Sequence, residues 1–218
     1  DGLFQLGLGR AVVCTSAGPA RFTALQAAYN GIAADWRHDD IDGTGLVPRA
    51  SVGFAFDEET ADGLPNAQLA VPAVALRSDG GRGAITFTTP AREVALAPAR
   101  WQALLAGRHC RWRRMDTAHR DEALPMRAWR ARVNATLAEI AARRIDKVVL
   151  SRNVRLSLPA DTLAADAFAL LPTLAGRHAT STVFACGHAG NLFLGATPER
   201  LVRLDAGIAR ADALAGTA

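Results

Sequence analysis

One side chain stands apart in this sequence for the chemistry it could do. Of the 25 Lys and Arg residues only Lys147 is a lysine, and the other 24 are arginines. Arginine stays charged at any relevant pH, whereas a lysine ammonium taken out of water can release its proton and serve as a base. Lys147 follows a helical pattern and opens the apolar, β-branched run Val148-Val149-Leu150, which puts it at the mouth of a strand. The plainer alternative is that a composition driven towards arginine left one lysine on the surface. Glu199 is a second candidate. Thr197-Pro198 stiffens the chain just ahead of it, since proline fixes its own torsion and restricts the residue before it, so the carboxyl group is held in one place. The plainer reading of Glu199 is a surface carboxylate paired with Arg200 or Arg203.

The wider motifs carry a resemblance. Lys147-Val148-Val149-Leu150-Ser151-Arg152, then Phe193-Leu194-Gly195-Ala196-Thr197-Pro198-Glu199-Arg200-Leu201, then Leu214-Ala215-Gly216-Thr217 together resemble the chorismate-utilising enzymes, and the isochorismate synthases most closely. The strong part runs over residues 129 to 218; a weaker part, through Val52-Gly53-Phe54-Ala55-Phe56-Asp57 and Leu69-Ala70-Val71-Pro72, extends it towards the N-terminus. The resemblance implies an isomerase in which water adds to one ring carbon of chorismate while the hydroxyl two carbons away leaves. Such a step needs a base for the water and an acid for the departing hydroxyl. By resemblance Lys147 is the base and Glu199 the acid, roles that call for a neutral amine and a protonated carboxyl, forms that burial favours. Gly216 and Thr217 correspond to a segment that contacts the substrate in the family. Glycine there lets main-chain amides approach a compact dianion closely, although a plain turn at a strand end would use the same residues. Family members that add water, the isochorismate and salicylate synthases, carry Lys at the position of Lys147, and those that add ammonia carry Gln. The Gly-Ala-Thr-Pro-Glu-Arg version of the second motif favours isochorismate synthase over salicylate synthase.

The resemblance also implies Mg2+, held by glutamates downstream of the Ala-Gly-Thr segment, and an arginine further on for the substrate carboxylates. The sequence ends at Ala218. The expectation is therefore an N-terminal portion of such a synthase, apparently truncated, with base and acid present and no metal ligands, and inactive alone. Asp39-Asp40, Asp57-Glu58-Glu59 and Asp121-Glu122 read as loop or cap acids, not as an oxygen cage for a hard cation. Salicylate synthase and a non-catalytic remnant that at most binds a partner stay open as alternatives. Whether isochorismate would feed menaquinone, a siderophore or salicylate stays open too.

Composition narrows the rest. Half of the residues are hydrophobic and 21% charged, ordinary values for a globular domain. Charged residues, glycine or proline interrupt every apolar run short of a membrane span, and no secretory leader is visible. Cys14, Cys110 and Cys186 are far apart and lack zinc-like spacing, which fits a reduced cytoplasmic protein with buried thiols. A net charge of +4 raises nucleic acid as a partner, with Arg108-His109-Cys110-Arg111-Trp112-Arg113-Arg114 as the densest basic stretch. Acidic Asp116, Asp121 and Glu122 follow at once, so the stretch reads as a solvated helix face. The partner expected is the small molecule chorismate, with neither nucleic acid nor membrane; the oligomeric state is not legible.

The elements that must position these residues follow from periodicity and turn chemistry. A strand pair is expected around Gly7 to Arg10. Helices are expected over Pro19 to Trp36 (apolar face Phe22, Leu25, Ala28, Tyr29, Ile32), Pro98 to Arg114, Asp121 to Arg144, and from the Asp161 cap through Leu174. Strands are expected over Ser51 to Phe56, Gln68 to Leu76, Ala84 to Thr89, Val148 to Leu158, Thr180 to Cys186, Asn191 to Gly195, Leu201 to Leu204 and Ile208 to Ala213. Strand runs with interspersed helices argue for an α+β fold. The resemblance implies the chorismate-binding, anthranilate-synthase-like fold of large packed sheets flanked by helices, with a soft boundary dividing residues 1–118 from 119–218.

Overall fold

The computed structural model describes residues 3–58, 63–107, 119–121, 125–157, 167–205 and 207–211. In chain order its elements are β1 (Leu3–Leu8), β2 (Val12–Ser16), α1 (Arg21–Asp35), β3 (Ser51–Phe54), β4 (Ala67–Val71), β5 (Val74–Asp79), β6 (Gly83–Phe87) and α2 (Ala97–Leu105). They continue with β7 (His119–Asp121), α3 (Met126–Ala141), β8 (Arg155–Ser157), α4 (Leu170–Arg177), β9 (Thr182–His188), β10 (Asn191–Thr197), β11 (Arg203–Asp205) and β12 (Ile208–Arg210). The α+β class expected from the sequence is the class observed. Two compact units result, one from Asp1–His109 with Leu174–Ala218 and the other from Cys110–Thr173.

The first unit is built on one antiparallel ribbon with a break in its middle. β1 and β2 were expected to pair with each other; instead β1 pairs with β5 and β2 with β4. Pro72 explains both this and the splitting of the single strand expected over Gln68 to Leu76. Proline has no N–H to give a ladder, so pairing stops there and resumes beyond it. Between the pairs Leu8↔Val74 and Val12↔Val71, the residues Gly9, Arg10 and Ala11 face only Pro72 and Ala73. The extra residue is a bulge, which bends a ribbon and increases its twist. Ala11 N–H restarts the ladder on Val71 O at 2.8 Å. β3 adds to the β4 side and β6 to the β5 side, giving the sheets β2-β4-β3 and β1-β5-β6.

Register decides which residues reach the core. Cys14, Leu69 and Val52 lie in one cross-strand row and so share a sheet face. α1 lies on that face, where its Leu25 packs with Ala67, Leu69 and Val71, and Ile32 and Trp36 close the cluster. Leu69 is 1% exposed. The apolar face expected for α1 is narrower in the fold: Leu25 is buried, while Phe22 and Tyr29 are about half exposed and Phe22 stacks at 4.5 Å on Phe54. α2 ends at Leu105 rather than at Arg114, with residues 108–118 outside the described part. It is held by Trp101, whose Nε1 donates to Thr88 O at 3.2 Å and whose ring lies 5.2 Å from Phe87.

The loop between α1 and β3 is ordered from within. The Asp40 carboxylate accepts from the N–H of Gly45 at 2.7 Å and of Thr44 at 2.9 Å, which holds its pKa below the usual value. Arg82 and Arg77 then reach the Thr44 and Val47 carbonyls from the β5–β6 hairpin. Asp79 plays the Asp40 part in that hairpin, accepting from the N–H of Gly81 and Arg82.

In the second unit β7 pairs with β8, and α3 starts at Met126, after Pro125, rather than at Asp121. The long strand expected over Val148 to Leu158 reduces to Arg155–Ser157. Among the described residues no strand lies against 148–154, so the β-branched run has high strand propensity and no ladder to join; Val149 is 84% exposed. Of the helix expected to start at Asp161, the described part is Leu170–Arg177.

Gly9 tests the account of the bulge. Its φ of +61° is left-handed, and a Cβ there would lie 2.6 Å from Leu104 Cδ1 of α2. Gly9→Ala should lower stability by about 2–3 kcal/mol in urea unfolding, combining left-handed strain with crowding. Gly18→Ala, at φ +74° but in open space, should cost only the strain; equal losses at the two sites would remove the Leu104 contact from the explanation.

Candidate active site

Lys147 stands three residues beyond an unusual helix end. α3 closes with the Arg144 N–H on Glu139 O at 3.0 Å and the Arg143 N–H on Ile140 O at 2.9 Å. That pair of bonds is the Schellman ending, whose left-handed position usually holds glycine. Here it holds Arg143, at φ +55°. Across the same turn Arg144 grips Glu139 in a two-pronged ion pair of 2.5 and 2.7 Å. Beyond Lys147, Arg152 pins the extended run back onto α3, its guanidinium 6.0 Å from the Trp129 ring and 3.8 Å from Met126 Sδ. Lys147 itself is exposed.

Glu199 sits at the end of a hairpin in the other unit. β9 and β10 pair from Asn191↔His188 to Thr197↔Thr182. The turn is Ala189-Gly190, with φ of 47° and 83°, both positive as a two-residue turn of this hand requires. At the turn end Arg10 donates to Gly187 O at 2.7 Å, and Asn191 Nδ2 donates to Gly63 O at 2.9 Å. These bonds tie the hairpin to the bulge and to the residues preceding β4. Gly195 faces Phe184 across the ladder, and a Cβ at 195 would come within 3.1 Å of that ring. The motif glycine thus gives the Phe184 ring room to lie over the strand, where it also meets Phe193 at 5.4 Å. Past Thr197 the chain leaves the ladder through Pro198, and Glu199 is exposed. Arg203, a partner considered for Glu199, bonds Asp205 at 3.1 Å.

Lys147 and Glu199 belong to different units, and the dry surroundings that their roles call for are not supplied by the described residues. Gly216 and Thr217 lie outside the described part. Among the described residues no three His, Cys, Asp or Glu side chains converge as a metal cage, so those residues do not fit a resident Mg2+. No described helix is long and apolar enough to cross a membrane. A groove of about 1000 Å³ opens beside the α1–β3 loop, lined by Trp36, Asp39, Asp42, Phe87 and Trp101 among others, and neither Lys147 nor Glu199 lines it.

The family described as chorismate binding enzyme matches residues 1–218. The chain belongs to that family. It is similar to the salicylate biosynthesis isochorismate synthase of Pseudomonas aeruginosa, with 31% identity over 214 residues, 92% of this chain and 43% of that protein. It is also similar to the isochorismate synthase MenF of Bacillus subtilis, with 34% identity over 89 residues, 41% of this chain and 18% of that protein. The chain spans less than half the length of these two curated relatives. In this member of the family, periodicity gave no sign of the bonds made by the Thr197 hydroxyl, and only the alternation of apolar residues over 182–197 hinted at the pairing of Phe184 with Gly195.

The Arg144–Glu139 clamp ahead of Lys147 has a pH signature. The hydrogen bonds from Arg144 hold the Glu139 carboxyl below its ordinary 4.5. Because the folded value is depressed, the stabilisation is complete above pH 4.5 and is lost as pH falls through the folded value. In an acid titration followed by NMR, the Arg144 Nε signal should shift with Glu139 in that window, and Glu139→Gln should abolish the transition. A transition that survives in Glu139→Gln would assign it to another group.

Proposed function

We propose that this chain carries the base and the acid of an isochorismate synthase, an isomerase that interconverts chorismate and isochorismate. The observation that carries the reading is a match to the chorismate-binding family over 1–218 in a chain whose one lysine, Lys147, occupies the motif position of the water-adding members. The names of the two relatives support the same reaction.

The Lys147 amine takes a proton from water as the water oxygen bonds to a ring carbon. The double bonds shift along the ring, the C–O bond two carbons away breaks, and Glu199 gives its proton to the departing hydroxyl, which leaves as water. One water enters and one leaves, so the product is an isomer. Gly216 and Thr217 are proposed to hold the substrate carboxylates through main-chain N–H groups, where a side chain would obstruct the approach. Mg2+ dependence enters through the resemblance and a cytoplasmic setting through the spaced cysteines, of which Cys14 is a half-buried free thiol and Cys186 an exposed one rather than buried as expected. The product would feed salicylate, menaquinone or siderophore synthesis. Because Lys147 and Glu199 are exposed among the described residues, the chain of 218 residues by itself is proposed to be a poor catalyst.

In catalytically competent protein carrying this sequence, Lys147→Ala should lower kcat by roughly a hundredfold to ten-thousandfold with chorismate still bound, the range for a lost general base. Lys147→Arg should fail almost as badly, because a guanidinium does not give up its proton. Glu199→Gln should fold and lose turnover. Near-normal kcat in either Lys147 variant removes that residue from the chemistry; salicylate with pyruvate as direct products would instead favour salicylate synthase.

The isolated chain, incubated with chorismate and Mg2+, should form no isochorismate and give no saturable Mg2+ heat in calorimetry. Turnover at a normal rate would mean that acids within these 218 residues complete the site.

A further inference from the structure

We infer that Thr197 is a positioning residue for Glu199, acting through its hydroxyl on the Glu199 main chain. The inference rests on Glu199 being the acid of the proposed reaction. Thr197 is the last residue of β10 in register with β9, opposite Thr182, so its own backbone is fixed by the sheet. Its Oγ1 accepts the Glu199 N–H at 3.2 Å and donates to the Glu199 carbonyl at 3.2 Å. A hydroxyl can do both at once, because it has one proton and two lone pairs. Pro198 lies between the two residues, with no N–H of its own and a fixed φ. Threonine is also stiff about its first side-chain torsion, so Oγ1 is not free to swing away.

The arrangement matters because Glu199 has left the ladder. Nothing in a strand holds a residue two places past its end, and Glu199 is exposed. The Thr197 hydroxyl carries the position of the sheet across the proline to the backbone from which the acid projects. A proton donor must meet the leaving oxygen within hydrogen-bond reach, and a misplacement of about 1 Å can cost on the order of a hundredfold in rate. The role therefore requires the hydroxyl and tolerates loss of the methyl group. It gives the Gly-Ala-Thr-Pro-Glu motif a division of labour: Gly195 admits the Phe184 ring, Thr197 and Pro198 set the exit, and Glu199 reacts.

The test uses catalytically competent protein carrying this sequence. Thr197→Val, which keeps the shape and removes the hydroxyl, should lower kcat roughly 10- to 100-fold with KM changed little, the signature of a misplaced catalytic group. Thr197→Ser should restore most of the rate. In a Glu199→Gln background Thr197→Val should cause no further loss, because the group it positions has already been disabled. If Glu199→Gln alone turns over normally, the acid assignment fails and the inference falls with it. If Glu199→Gln is impaired but Thr197→Val is not, the acid stands and the positioning role is overturned. Equal losses from Thr197→Val in both backgrounds would also overturn it, by showing an effect independent of Glu199. Should Thr197→Val melt below the assay temperature, Thr197→Ala measured at a lower temperature is judged by the same comparison.

Discussion

The bulge at Gly9 to Ala11 opposite Pro72 and Ala73 is the constraint on which the first unit depends. A long antiparallel ribbon could not run straight through Pro72, because the ladder lacks a donor there. Inserting one residue on the facing strand lets the pairing resume in a new register, with Ala11 bonded to Val71. That single offset puts Leu69 and Val71 on the face that α1 covers. It also creates the left-handed Gly9 against which Leu104 docks and exposes the Arg10 carbonyl that Arg100 of α2 binds. From the same bulge the Arg10 side chain reaches out to Gly187 and steadies the β9–β10 hairpin. The hairpin ends in Thr197 and Glu199, so the candidate acid is placed by a chain of fixed elements that starts with a missing N–H.

Much of this was legible in the sequence, for identifiable reasons. The C-terminal hairpins announced themselves through apolar runs and glycine turns, and both formed because their partners are local, with β9 running to His188 rather than Cys186 and β11 starting at Arg203 rather than Leu201. α1 and α3 were visible through spacing, and α3 started late because Pro125 is better placed just before a helix than inside it. Pairing between distant strands was not legible. Gly7 to Arg10 looked like the centre of a hairpin, whereas positive φ at Gly9 carries the chain along the ribbon rather than back on itself. Composition reports that a glycine can take this shape, not which way the chain then goes.

The candidate site was legible to different depths. The chemistry proposed for Lys147 and Glu199 came from the resemblance of the motifs around them to the chorismate-utilising enzymes, since neither side chain alone specifies a reaction. The local supports were hidden, because a hydroxyl that bonds two residues ahead and an aromatic ring that lies over a glycine leave no trace in periodicity. The surroundings that would keep either group uncharged depend on which surfaces come to lie against it. Both side chains meet solvent among the described residues, so motif and environment are separable here.

The extended run at 148–154 has a consequence for the behaviour of chains in concentrated solution. A short β-branched segment that no strand covers among the described residues is the kind of template on which identical strands stack into fibrils, at a repeat of roughly 4.8 Å. Val148, Val149 and Leu150 have the composition for it, and Val149 is almost fully open to solvent. Lys147 and Arg152 bracket these residues, and in-register stacking would bring each charge against its own copy, so they act as gatekeepers. The proposed base and the arginine that pins the run onto α3 would thus share a second task, opposing the stacking of this segment on its own copies.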